Sequence, residues 1–424
     1  MTNWTEQQRR RLDALIDGAQ ADCARRFAEL ERIEEKNFRR VLEAMQAHRV
    51  GVQHFQATTG YGYDDIGRDT LERVFADAFG AQDALVRPQF VSGTHALAVC
   101  LFGLLRPGDH LLSACGMPYD TMDEVIGITK TSDGSLRELG VRYSQVELTQ
   151  DGQIDLPAVC AALSQDTRVV MIQRSRGYAW RPALTLAQIG EAACAIHAAR
   201  PQAVVMVDNC YGEFVDEQEP THVGADVMVG SLIKNAGGGI APTGGYIAGR
   251  KDLIDRISHR LTSPGIGREV GSYASGYQAF YQGFFLAPHA VCQAVKTAVL
   301  AAAVFTRLGF TVHPAVDDPR SDIIQALRLE SPERLVAFCE GIQMASPIDS
   351  FALPEPWAMP GYQDAVIMAA GTFVSGASIE LSADAPMRPP FNVYMQGGLT
   401  LAHGRVGIEQ AVRRMVEKGL LTLP

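Results

Sequence analysis

The chain has 424 residues, 47% of them hydrophobic and 20% charged, with a formal net charge of −10. This balance is that of a globular protein and excludes a wholly disordered chain or a small scaffold that depends on disulfides. The acidic excess argues against a protein whose main task is to grip nucleic-acid phosphates. The eight cysteines (23, 100, 115, 160, 194, 210, 292 and 339) are irregularly scattered and form no CxxC pair. Such spacing reads as reduced thiols in a cytoplasmic protein, with no disulfide framework and no metal site. The N-terminus shows no apolar segment of a signal peptide. The longest apolar run, Ala298–Phe305, falls well short of the about 18 residues that a membrane span requires. Neither a membrane nor a nucleic acid is expected as a partner.

In chain order, residues 5–48 carry apolar residues at helical spacing (Leu12, Ile16, Ala19, Cys23, Phe27, Leu30, then Phe38, Val41, Leu42, Met45) in an otherwise polar segment. This predicts an arm of one or two helices with one stripe to bury against the body or a second subunit. Leu85–Val91 reads as a strand that turns at Ser92-Gly93-Thr94 into an apolar helix over His95–Leu105. His110–Ala114, Val169–Ile172, Ala203–Val207 and Val227–Leu232 are short apolar runs between polar turns. Strands this uniformly apolar fit a mainly parallel sheet covered by helices on both faces. Beyond about residue 285 the order changes. A helix is expected over Ala290–Leu308, another over Glu333–Ile342, strands near Ala365–Val374 and Ser378–Leu381, and a last helix over Gly407–Lys418. The expected organisation is an N-terminal helical arm (1–50), an α/β large domain (51–287) and a smaller C-terminal α+β domain (288–424).

Chemistry concentrates between Val204 and Lys234. Asp208 ends one apolar strand. Lys234 follows the next, with Ser231 three residues before it and Asn235-Ala236-Gly237-Gly238-Gly239 after it. Ligands of doubly wound sheets bind outside the carboxyl ends of the strands. An Asp and a Lys on neighbouring strand ends suit pyridoxal phosphate. The lysine amine forms a Schiff base with the aldehyde, and the carboxylate keeps the pyridine nitrogen protonated. Taken alone, the two residues would equally serve as surface caps. Ser92-Gly93-Thr94 adds a place for the phosphate, because it opens a helix where backbone N–H groups and the helix dipole converge. An ordinary N-cap would also account for it. Tyr119, after a strand on the same edge, could stack on the pyridine. No P-loop and no GxGxxG after a strand is present.

With these residues in view, the runs VSGTHALAV, GMPYDT, VMVDNCYGEF and GSLIKNAGGG, with TTGYGYDDIGRD, RPGDHLLSA, QRSRGY and ELSADAP in order around them, resemble one family. It is the fold type I pyridoxal-phosphate enzymes of cysteine and methionine metabolism. The branch they most resemble is the bacterial methionine γ-lyase family, also described as cystathionine β-lyase-like or aluminium-resistance proteins. The resemblance implies an aspartate-aminotransferase-like large domain with a seven-stranded, mainly parallel sheet. Lys234 becomes the Schiff-base lysine and the mobile acid/base, Asp208 the pyridinium partner, and Tyr119 the stacking ring. Ser92, Gly93 and Thr94 hold the phosphate, with Ser231 helping. Tyr63 matches a tyrosine that reaches the phosphate of a neighbouring subunit, which implies a homodimer with shared active sites; such enzymes are usually homotetramers.

The chain departs from the well-known relatives at three places. Asp65 stands where they have an arginine, so Arg68 becomes the candidate to replace its charge. Ile233 precedes the lysine where a hydroxyl residue is usual. Gln173-Arg174-Ser175-Arg176-Gly177-Tyr178 replaces an Asn-Pro turn. A substrate carboxylate calls for a bidentate arginine, for which Arg388 and Arg405 are the candidates; Arg176 could instead meet a distal acidic group. The expected activity is cleavage of a carbon–sulfur bond in a small sulfur-containing amino acid, by β- or γ-elimination. The same Lys-Asp pair would also serve a γ-replacement synthase using an activated substrate such as S-adenosylmethionine, or an aminotransferase. A cofactor-fold binding protein would need neither residue.

Overall fold

In the computed structural model, residues 4–359 and 364–424 are described. The N-terminal arm is two helices, α1 (Glu6–Asp22) and α2 (Ala24–Ala47). Thr5 and Gln8 form a capping box that starts α1, and Leu12, Leu15, Ile16 and Ala19 are its buried stripe. The helices meet at Cys23, and both pack on a long helix of the body, α9 (Gln278–Arg307). The arm is also pinned by polar groups: Asn37 Nδ2 donates to the carbonyls of Phe214 (3.0 Å) and Asp216 (2.9 Å).

The body then alternates through α3 (Ile66–Ala78), β1 (Asp83–Arg87), α4 (Gly93–Leu104), β2 (His110–Ser113), α5 (Thr121–Ile126), β3 (Arg142–Gln145), α6 (Leu156–Ala162), β4 (Thr167–Gln173), α7 (Leu186–Ala199), β5 (Val204–Asp208), β6 (Val227–Ser231), β7 (Gly245–Gly249) and α8 (Lys251–Leu261). The seven strands lie in the order β1-β7-β6-β5-β4-β2-β3. β7 alone runs against the rest, being antiparallel to both β6 and β1. This seven-stranded, mainly parallel α/β sheet is the architecture expected from the sequence. Strand periodicity sorts its core into two faces. Val205, Val207, Val170 and Ile172 join one cluster, which holds α3, α7 and α9. Val204, Met206, Val169 and Met171 join the other, under α4, α5 and α8. The wholly apolar strands are thus buried on both sides. The first strand is shorter than expected, ending at Arg87 before Pro88, and Ser92 rather than a later residue caps the helix that follows.

Helix α9 (Gln278–Arg307) begins well before the expected Ala290 and carries Pro288 in its interior. The boundary expected at 287/288 therefore falls within a helix. Proline removes one hydrogen bond, but nearly every side chain from Phe280 to Phe305 is buried, and that packing outweighs the loss. α9 is long and apolar enough to cross a bilayer, yet 83% of its most apolar window is buried inside the protein; its length spans the core. After it come β8 (Thr311–His313), β9 (Gln325–Arg328), α10 (Pro332–Met344), β10 (Val366–Ala369), β11 (Ser382–Pro386), β12 (Asn392–Gln396) and α11 (Leu401–Glu417). The strands form a second, antiparallel sheet ordered β10-β11-β12-β9-β8. Ser378–Leu381, expected as a strand, only leads into β11.

Candidate active site

Six of the seven strands of the large sheet share one direction, so the segments after β1, β2, β4, β5 and β6 all emerge at one edge. They enclose a cavity of about 190 Å³ lined by Ser92, Gly93, Thr94, Tyr119, Asp208, Ser231 and Lys234 together with Gln173, Cys210 and Tyr211. Residues spread over 140 positions of sequence thus reach one place because parallel strands align their carboxyl ends.

Ser92 caps α4 by accepting from the His95 N–H at 3.0 Å. The N–H groups of Gly93 and Thr94, in the first turn, have no acceptor within the helix. A Cβ on Gly93 would lie 3.3 Å from Ser231 Cβ and 3.5 Å from Cys210 Sγ, so the glycine lets the helix start press against the ends of β6 and β5. Thr94 Oγ1 shares a hydrogen bond with Thr121 Oγ1 at 2.8 Å. Ser231 Oγ is buried and has no hydrogen-bond partner among the described residues. An unsatisfied buried hydroxyl beside a helix N-terminus is the donor set an anionic oxygen would complete.

Asp208, 6% exposed, accepts from the Cys210 N–H at 3.1 Å. Burial pushes its carboxyl above the usual range, opposed by the nearby Lys234 charge and the Cys210 N–H. Lys234 Nζ lies 4.1 Å from the centre of the Tyr211 ring. Burial works against its ammonium, but Cys210, Tyr211, Asp208 and Glu213 together reverse that effect and raise it above the ordinary lysine value. Tyr211 holds a positive φ of 73°, a cost for a bulky residue that is met where surrounding packing fixes it. The glycines after Lys234 face protein: a Cβ on Gly238 would lie 2.3 Å from the Gly283 carbonyl of α9. They let the lysine segment sit flush on that helix.

Tyr119 is held by its neighbour strand. Its backbone N–H donates to Gln173 Oε1 at 2.6 Å, and Gln173 Nε2 donates to the Ser175 carbonyl at 3.1 Å. Gly177, at φ 56°, would place a Cβ 3.3 Å from the Tyr119 ring. The segment that replaces the Asn-Pro turn is therefore the support of the tyrosine loop.

The other expected site residues lie elsewhere in this chain. Tyr63 is 60% exposed and rests beside Tyr61, with ring centres 5.6 Å apart. Arg68 is buried and donates to Asp69 Oδ1 (2.7 Å) and the Gly62 carbonyl (2.8 Å), so it does not face the cavity. Asp65 caps α3 and accepts from Thr58 and Tyr277, a structural task that explains a carboxylate there. Arg405 is paired with Asp17 (2.5 Å) and Gln20 (2.8 Å) on the N-terminal arm. Arg176 is fully buried and donates to His313 Nδ1 (2.8 Å) and O (2.9 Å), with Asp322 3.7 Å away. It lines a separate cavity with Gln173, Trp180 and His313, and its Nε and Nη2 have no hydrogen-bond partner among the described residues. Arg388 pairs with Asp364 at 3.0 Å and lines a separate cavity with Met117, Asp120 and Tyr178, next to the Tyr119 loop. The sequence reading missed Gln173 and Tyr211, and also Asp384 on β11, whose carboxylate is electrostatically coupled to Lys234.

Residues 12–416 match the family model described as methionine gamma-lyase. The Bacillus subtilis protein YnbB is 52% identical over 403 residues, 95% of this chain and 96% of its own length. A solved structure described as a carbon-sulfur lyase involved in aluminium resistance, from Clostridium novyi, superposes with a TM-score of 0.93 at 48% identity, covering 97% of this chain and 100% of that one. The L-methionine gamma-lyase of Pseudomonas putida is 30% identical over 202 residues, 47% of this chain and 45% of its own.

Proposed function

The chain belongs to the methionine γ-lyase family, and we propose that it is a pyridoxal-phosphate-dependent lyase that cleaves the carbon–sulfur bond of a small amino-acid thioether. One observation carries the reading: Lys234 and Asp208 face one cavity from neighbouring parallel strand ends, opposite the start of α4. The residues present fit the cofactor. The unpaired Ser231 hydroxyl, the Ser92 side chain and the free N–H groups of Gly93 and Thr94 form a phosphate site. Asp208 offers a buried carboxylate to a protonated ring nitrogen, and Tyr119 offers a ring beside it. Bound there, pyridoxal phosphate would supply an electron sink for the pair left at the substrate Cα.

The chain's own residues do the rest. Burial makes an unpartnered Asp208 carboxylate costly, so it favours a proton held between it and the ring nitrogen. Lys234 Nζ takes the Cα proton and is well placed to return it. Lys234 or the Tyr119 hydroxyl gives a proton to the departing sulfur, so that a thiol and not a thiolate leaves. Gln173 fixes the Tyr119 loop and Tyr211 walls the lysine. With water, the net products are a thiol, a 2-oxo acid and ammonia. The exposed Tyr61–Tyr63 pair, with Val52, Ile66 and Val91 also exposed, supports a homodimer in which Tyr63 completes the neighbouring site. Arg388 is the arginine best placed for a substrate carboxylate.

The test is to titrate the purified protein with pyridoxal phosphate while following visible absorption, then add methionine, cystathionine, homocysteine and cysteine and assay thiol and 2-oxo acid. A saturable band absent from Lys234→Ala, with thiol release from at least one compound, is the expected result. A protein that develops no band at saturating cofactor would overturn the reading.

A further inference from the structure

The register of the small sheet places Met368, Asp384, Tyr394, Ala326 and His313 opposite one another across its five strands. Directly paired residues point to the same face, so these five form one row. That row faces the large domain: Ala326 and Tyr394 pack with Tyr178, Trp180 and Tyr211. Asp384 stands at its polar centre. Tyr178 donates its hydroxyl to Asp384 Oδ2 at 3.0 Å, and Tyr394 donates to the Tyr178 carbonyl at 2.6 Å. The Tyr178 ring lies 5.4 Å from that of Tyr394 and 6.0 Å from that of Tyr119. Tyr211 and Tyr119 line the Lys234 cavity, so the row forms a small-domain wall behind those two rings.

A half-buried carboxylate among phenol rings is poorly hydrated. It gains from a cation that can meet both the negative charge and the ring faces. Burial raises Asp384 to about 6, partly opposed by the Tyr178 hydroxyl, so it is ionised in mildly alkaline buffer. It repels the substrate α-carboxylate. The α-amino group belongs with Lys234. What remains to face Asp384 is the part of the substrate beyond the sulfur. We propose that Asp384 is a specificity-determining residue whose carboxylate, set among Tyr178, Tyr211 and Tyr394, receives a positive charge carried by the substrate's leaving group. The inference rests on the lyase reading above and deepens it: the preferred thioethers carry a distal ammonium.

The probes are two pairs that differ only by ammonium against methyl. They are S-(2-aminoethyl)-L-cysteine with S-propyl-L-cysteine, and the two corresponding homocysteine thioethers. Each pair is compared on the holoenzyme by kcat/KM. The expected result is a preference for the ammonium compound of about tenfold or more, falling to about one in Asp384→Asn and partly restored in Asp384→Glu. Each ratio is taken on one preparation, so a reduced folded fraction cancels. No preference in the wild type, or the same preference in Asp384→Asn, would overturn the assignment. If neither pair is cleaved, the lyase reading fails separately, and the pairs are compared by the rise in Tm they induce. An ammonium preference lost in Asp384→Asn would then still uphold Asp384, and equal shifts would overturn it.

Discussion

The wall of the cavity and the small-domain wall behind it are built on different principles. The large-domain wall is made of strand ends and a helix start, where backbone geometry alone delivers Ser92, Asp208, Ser231 and Lys234 to one edge. The small-domain wall is the flat face of an antiparallel sheet, where Asp384 and Tyr394 meet the large domain through side chains. The first wall suits chemistry common to many substrates, because strand ends and helix dipoles are fixed by the fold. The second suits recognition, because a sheet face changes one residue at a time without disturbing the backbone.

This contrast is testable from its strongest element downward. Lys234→Ala should abolish the cofactor band and lower thiol release at least about a thousandfold, since both base and cofactor attachment are lost. Asp208→Ala should keep part of the cofactor but slow turnover about a hundredfold or more, and its Cα–H exchange rate should fall with it; unchanged exchange would break the account of the first wall. Gln173→Ala removes the acceptor for the Tyr119 N–H and should cost about tenfold in turnover, with Tm lowered only slightly.

The buried acid behind the lysine sharpens the comparison further. Glu213 accepts from the Tyr246 hydroxyl at 2.8 Å, and burial raises it from 4.5 to about 8. Its folded pKa lies above its unfolded one, so its contribution to stability is complete below about 4.5 and is lost as pH rises through about 8. Glu213→Gln keeps the acceptor without the charge. The Tm difference between variant and wild type should therefore grow in favour of the variant from mildly acid to mildly alkaline pH; a constant difference would contradict a proton held on Glu213. At the other extreme, Arg405→Ala breaks a partly exposed pair with Asp17. It should change stability by less than about 1 kcal/mol and leave kcat/KM unaltered.

The legibility of the molecule follows the same division. Asp208 and Lys234 stand out in sequence because apolar runs announce their strands, and strand ends are where such sheets bind ligands. The Ser92 turn is legible for a similar local reason. Asp384 is not, because Tyr178, whose hydroxyl it accepts, stands 206 residues away in sequence, and only register reveals that it shares a face with Tyr394. The arginines show the limit most clearly. Nothing in the local sequence separates Arg388, beside the Tyr119 loop, from Arg405, tied to the arm, or from Arg176, held by His313 and Asp322. A guanidinium reads alike until its partners are known. The start of α9 is hidden in the opposite way: a helix is expected only from Ala290, yet burial carries it from Gln278 through Pro288.

The most direct measurement of the central claim is to reduce the protein–pyridoxal phosphate complex with borohydride, digest it, and locate the retained label by mass spectrometry. The account predicts a single stoichiometric label on the peptide that contains Lys234. A label confined to other lysines, or no retained label at saturating cofactor, would contradict it.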